Sequence, residues 1–174
     1  QSMEHSEPWP GGRPNHYLLD LNRDWAWQTQ QETQQRLKLY HDWMPHLFVD
    51  YHEQGINDPF YFAPAAQPVH DQVSPFQNEF QVIYGKNTAK KFDEQGWMYF
   101  TKERFDLLYP SYGDTYPMYN GAIGMTIEKG GSGRAGLGML NALGDTVNLR
   151  ERIEHQHTAG ISAVEVTSQN AERL

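Results

Sequence analysis

Three short stretches of this chain end an apolar run in side chains that can do chemistry: Leu19-Asp20-Leu21-Asn22-Arg23-Asp24, Val49-Asp50-Tyr51-His52-Glu53-Gln54-Gly55 and Gly124-Met125-Thr126-Ile127-Glu128. The C-terminal ends of apolar strands are where open α/β sheets build their sites. Arg23 offers a planar, permanently charged fork suited to a carboxylate. His52 offers a ring nitrogen to a metal or a proton. Glu128 emerges from an apolar strand, where desolvation raises a carboxyl pKa toward that of a useful base. Each has a plainer reading too. His52 can be a hydrogen-bonded strand-end histidine, Arg23 a partner of Asp24 in a surface ion pair worth well under about 1 kcal/mol, and Glu128 a partner of Lys129 or Arg134.

The elements that must position these residues follow from periodicity and punctuation. Residues 4 to 16 are rich in proline and glycine and predict an irregular loop that carries Arg13. Tyr17 to Leu21 predicts a short buried strand ending at Asn22-Arg23. Thr29-Gln30-Gln31-Glu32 has capping-box spacing, and Leu37, Tyr40 and Met44 recur helically before Pro45. His46 to Tyr51 predicts a strand with His52 at its edge, and Phe60 to Phe62 a second after a turn at Asn57-Asp58-Pro59. Ser74-Pro75 with Gln77 opens a helix whose Phe76, Phe80 and Ile83 share a face and which Gly96 ends. Residues 109 to 120 read as an aromatic, turn-rich loop. Gly121 to Lys129 reads as a buried strand, followed by a glycine-rich linker. Asp145 then caps a long last helix with Ile153, His157, Ile161, Val164 and Ala171 near one face. The alternation predicts an α/β fold, a mixed and largely parallel sheet flanked by helices.

At 174 residues one domain is expected, spanning 4–174, with Gln1-Ser2-Met3 resembling the remnant of an engineered cleavage site. With 23 aromatic residues (Trp 5, Tyr 10, Phe 8) the chain is expected to fold. A net charge of -8 argues against nucleic acid or an anionic membrane surface as the main partner. No apolar run approaches the roughly 20 residues that span a bilayer. Without cysteine, any metal chemistry rests on histidine and carboxylates. Gly131 to Gly136 matches G-x-G-x-x-G, yet Glu151 and Glu154, the acidic residues about 20 positions on, fall in the predicted last helix and not at a strand end. Dinucleotide binding is therefore not expected.

The stretches DLNRDW, VDYHEQG and YNGAIGMTIE, in this order and spacing, resemble the second half of an M14-family zinc carboxypeptidase domain. The resemblance implies hydrolysis of the last peptide bond of peptide or protein C-termini, with Zn2+ as cofactor held by two histidines and a glutamate. It implies His52 as one metal ligand, Asn22 and Arg23 as the grip on the terminal carboxylate, Glu128 as base and then acid, and Arg13 on the oxyanion. Tyr109, Tyr112 and Tyr116 are candidates for a tyrosine covering the substrate. Asp114, in the region that lines the side-chain pocket, would favour a basic terminal residue. An extracellular or periplasmic parent is implied by the resemblance alone.

One departure from the pattern weighs against activity. The family's first zinc motif is His-x-x-Glu, and none of the eight histidines here has an acidic residue at the third position after it. The chain is therefore expected to be part of a longer protein, itself inactive and poor in metal. Two other readings stand beside this: a non-catalytic module that binds peptide carboxylates through Arg23, and a fragment that self-associates through exposed sheet edges.

Overall fold

The chain's helices begin and end where polar atoms close to them in sequence can satisfy their free backbone groups. The computed structural model describes residues 13–131 and 138–174. The expected remnant at 1–3, most of the proline-rich loop and the linker at 132–137 lie outside the described residues. Helix α1 spans Gln31–Trp43 and α2 spans Pro75–Gln95. The capping box predicted for α2 is present: the Ser74 hydroxyl accepts from Gln77 N at 3.2 Å, and Gln77 Oε1 accepts from Ser74 N at 2.8 Å. Gly96 ends α2 in the left-handed region. The box predicted for α1 does not form, because Asp24 takes both Thr29 donors, the hydroxyl at 2.6 Å and the amide at 2.9 Å. The other oxygen of Asp24 accepts from Gln30 N, so this one buried carboxylate organises the approach to α1.

Two further expectations are corrected. Tyr17 to Leu21 is not a buried strand: Asn15 Oδ1 accepts from the amides of Tyr17 and Leu19, folding the segment into an exposed loop. A single 3-10 turn, Leu21–Arg23, then carries the Asn-Arg pair. Residues 109 to 120 contain a short helix, α3 (Thr115–Tyr119).

In chain order the strands among the described residues are β1 (Leu47–Gln54), β2 (Phe60–Tyr61), β3 (Ala66–Val69), β4 (Tyr99–Phe100), β5 (Asp106–Leu107), β6 (Ile123–Gly130), β7 (Met139–Leu140) and β8 (Thr146–Val147). The main sheet has the order β1-β6-β2-β4, with β1 parallel to β6, β2 parallel to β4, and β2 antiparallel to β6. Strand alternation sorts the side chains into two layers. Ile123, Met125 and Ile127 of β6 pack with Phe80, Tyr84 and Phe92 of α2 in the main core. On the other face Phe48 joins Trp25, Leu37 and Tyr40. That second face also receives Asp50 and His52 from β1 and Thr126 and Glu128 from β6 by the same alternation.

The long last helix, α4 (Leu149–Gln169), is capped by Asn148 and not by Asp145. Its expected apolar face points outward, with Ile153 57% and Val164 67% exposed, while Arg152, His155, Ala159, Ser162, Ala163 and Val166 are buried. Small residues face inward because α4 lies close against α2, where the Thr88 and Ser162 hydroxyls meet at 2.8 Å.

His155 is only 6% exposed, its ring centre 4.0 Å from that of Trp97, with neither ring nitrogen hydrogen-bonded among the described residues. Burial, with Lys129 second, pushes its pKa down to about 4. The unfolded chain therefore takes up a proton below about 6.5 that the folded chain refuses, and stability falls as pH drops from there toward 4. His155→Phe is expected to spare the protein about 1–2 kcal/mol of the loss between pH 7 and pH 5. Urea midpoints at the two pH values check this, and an equal loss in both proteins would count against it.

Candidate functional site

At the carboxyl ends of β1 and β6, a pocket of about 270 Å³ is lined by Arg13, Asn22, Arg23, His52, Tyr112, Asp114 and Glu128, together with Phe105, Asp106 and Thr126. The first seven are the sequence-predicted site residues, and the fold brings all of them to this one cavity. Parallel register explains the centre of the site, since His52 stands opposite Glu128 and Asp50 opposite Thr126.

Glu128 is 8% exposed, and its Oε2 has no hydrogen-bond partner among the described residues. Burial pushes its pKa up to about 7, against the opposing pull of His52 and Arg13. A carboxylate poised near neutrality with a free oxygen can take and return a proton. Asp114 is deeper and better satisfied, accepting from the Thr115 hydroxyl at 3.0 Å and the Thr126 hydroxyl at 2.9 Å. Burial nevertheless raises its pKa.

The two arginines enter from the N-terminal loop and the 3-10 turn. Arg13 Nε lies 2.7 Å from Asp20 Oδ2, and Arg23 Nη1 lies 3.9 Å from the same oxygen. Both guanidiniums thus already face one carboxylate. The Arg23 guanidinium sits 4.5 Å from the centre of the Tyr112 ring, which packs at a 59° tilt against Tyr109 with ring centres 4.9 Å apart. Of the three candidate tyrosines, Tyr112 lines the pocket. The Tyr109 hydroxyl accepts from Trp27 Nε1 at 2.7 Å, and Tyr116 packs with Trp25 and Tyr40. Trp25 is core, whereas Trp27 is exposed.

Asn22 is turned inward. Its Oδ1 accepts from Gly113 N at 2.7 Å, and its Nδ2 lies 3.3 Å from Asp50 Oδ2 and 3.2 Å from His52 Nε2. His52 Nε2 is also 2.7 Å from Asp50 Oδ2, and this hydrogen bond, against desolvation, raises the His52 pKa. Asp50 and Gly113 were not singled out by the sequence reading. The signal for Asp50 lay in its spacing, because residues two apart on a strand share a face.

A catalytic zinc takes three protein ligands. Among the described residues no group of three or more His, Cys, Asp or Glu is placed to hold a metal ion. His52 offers one nitrogen, so the described residues do not by themselves fit the ion that the resemblance implies.

The sheet, its flanking helices and the long last helix define a carboxypeptidase-like α/β fold. Among solved structures, the chain is similar to a metallo-carboxypeptidase from Burkholderia cenocepacia, with a TM-score of 0.64 and 15% identity. The match covers 92% of this chain and 41% of that one, so the chain spans well under half the length of that structural relative. At this identity the likeness establishes the fold alone. No protein-family model and no curated protein sequence matches the chain.

Proposed function

We propose that this pocket is the carboxylate-binding and proton-transfer part of an M14-type zinc carboxypeptidase site, acting on the C-termini of peptides or proteins. The observation that carries the reading is the convergence of two guanidiniums and a buried glutamate oxygen, without a partner among the described residues, in one cavity at the ends of parallel strands. Arg23 pairs with the terminal carboxylate of the substrate through its planar fork. Arg13 faces the oxygen that becomes negative when the carbonyl is attacked. Glu128 accepts a proton from the attacking water and returns it to the leaving amine. Asp114, at the buried side of the pocket, would favour a basic terminal side chain. His52 would offer one ring nitrogen to a metal ion, which the described residues alone do not suffice to hold.

The test compares a short peptide ending in a free carboxylate with its C-terminal amide. The free acid is expected to bind at least tenfold tighter, corresponding to about 1.4 kcal/mol for a charge-assisted contact. Arg23→Ala is expected to erase that preference, with circular dichroism unchanged. Equal binding of acid and amide by the unsubstituted protein would overturn the reading.

A further inference from the structure

Strand β1 is the edge of the main sheet, and none of residues 47–53 is buried, although β6 beside it is buried along its whole length. Strands paired in parallel are normally covered on both faces. His46 O and Gln54 O both accept from the β6 side, from Ile123 N and Gly131 N. Backbone direction alternates along a strand, so Phe48, Asp50 and His52 also turn their amide and carbonyl groups to β6, and Leu47, Val49, Tyr51 and Glu53 turn theirs outward. Among the described residues no other backbone group pairs with those outward groups. The usual guards of such an edge are missing, since β1 has no proline or lysine and its register with β6 runs without a bulge. The same four residues place their side chains on the α4 side of the sheet. Leu47 and Val49 touch the main core, Glu53 pairs with Arg152, and the Tyr51 hydroxyl fills the space where a Cβ on Gly160 would fall. Leu149, Ile153, Gly160 and Val164 recur at helical spacing on the outer side of α4. Tyr51, Leu149, Ile153, Gly160 and Ile161 line an open cavity of about 350 Å³ there. An unpaired edge and an apolar stripe thus lie side by side on one flank.

We propose that this flank is the contact between two copies of the chain, related by a two-fold axis normal to the sheet, with β1 antiparallel to β1 of the other copy. Centring the pair on Asp50 sets Leu47 opposite Glu53 and Val49 opposite Tyr51. This register uses all four outward residues of each copy, and each opposed pair exchanges two hydrogen bonds. It also forms an aromatic to β-branched cross-strand contact twice. An extended peptide on the same edge would leave the stripe bare. A second copy covers both, because an axis normal to the sheet keeps the two α4 helices on one side. Helix α4 runs opposite to β1, Glu53 meeting Arg152 and Tyr51 meeting Gly160. The level of Asp50 therefore falls between Gly160 and Val164, and the axis brings Val164 beside its own counterpart. The edge and the stripe each run about 23 Å. The strip they form is on the order of 500 Å² on each copy, about 1,000 Å² per dimer, the lower limit of a specific interface. Dissociation in the micromolar range follows from so small a contact.

The experiment is sedimentation equilibrium of the 174-residue chain from about 1 to about 100 µM. A mass of twice 20.2 kDa is expected at the upper end. Val164→Asp sets two carboxylates against each other at the axis and is expected to raise the dissociation constant at least tenfold. Val164 is exposed, so circular dichroism is expected to stay unchanged. The chain has no cysteine, so Val164→Cys is expected to give a disulfide-linked dimer on mild oxidation much faster than Lys38→Cys on exposed α1. Amide exchange reads the strand: Val49, Tyr51 and Glu53 are expected to slow with concentration, and Asp50 and His52, already bonded to β6, are not. A mass of 20.2 kDa at 100 µM overturns the proposal, as does a mass that climbs past the dimer. So does a dimer indifferent to Val164→Asp, or one that leaves those three amides exchanging as before. None of these measurements reads the pocket, so this proposal and the function proposed above fail separately.

Discussion

Replacing Gly124 by alanine is expected to cost this protein about 3 kcal/mol or more and to lower its melting temperature by roughly 6–12 °C. Gly124 lies within β6, on the site face between Ala122 and Thr126. A Cβ there would overlap the carbonyl oxygen of Asp114 and lie 2.8 Å from its carbonyl carbon. The obstacle is backbone, so no rotamer change relieves it. The segment that would have to move is also pinned: Gly124 O accepts from Gln81 Nε2 at 2.9 Å, and Gln77 Nε2 donates to Met118 O and Ala122 O at 2.9 and 2.6 Å. A shift large enough to admit a methyl group would strain these buried bonds and displace Asp114 from the pocket. Thermal melts followed by far- and near-ultraviolet circular dichroism check the expectation. A melting point within about 2 °C of the unsubstituted protein, less than 1 kcal/mol for a chain of this size, would show that α3 yields easily.

How far the sequence can be read depends on where the deciding atoms lie. Helix α2 was legible because Ser74, Pro75, Gln77 and Gly96 act on their own neighbours. Strands β1 and β6 were legible because their polar ends follow apolar runs, but the parallel pairing that sets His52 opposite Glu128 was not. The loop at Tyr17 to Leu21 was not, since one asparagine side chain outcompetes the strand its apolar residues predict. The capping box at Thr29 failed for a similar reason: Asp24, five residues earlier, claims the hydroxyl. On α4 the larger apolar residues misled. Packed tightly on α2, it buries Ala159, Ser162 and Ala163 and leaves Ile153, Ile161 and Val164 outside, so burial there follows close approach more than residue size. In the pocket, residue types and spacing pointed to the groups with obvious chemistry. Asp50 was legible only by its i, i+2 spacing from His52, and the approach of Gly113 to it, across about 60 residues of chain, is not written in local pattern.

Glu128→Gln is expected to make the protein more stable above pH 7 while removing the carboxylate proposed above for proton transfer. The glutamate carboxyl has an unfolded-state pKa near 4.5, and burial raises it to about 7 in the folded chain, with Asp50 adding to the rise. Between these values the folded state holds a proton that the unfolded state has released. Stability is thus fully present below about 4.5, declines as pH rises through 7, and stays low beyond. A rise of this size corresponds to roughly 3 kcal/mol if nothing offsets it. The pocket opens to solvent and the glutamine amide must itself be buried, which reduces the expected gain to about 1–2 kcal/mol, or some 3–6 °C in melting temperature. Below pH 4.5, where the glutamate is neutral in both states, the variant should melt no higher than the unsubstituted protein. The measurement is the melting temperature of both from pH 4 to pH 8, and a variant that melts lower at pH 8 would mean the buried oxygen is satisfied after all. An unpaired carboxylate kept at a cost in stability is what the proton-transfer role proposed above requires of Glu128. In this chain that carboxylate sits opposite a histidine and in one pocket with two arginines, where a proton held near neutral pH is of use.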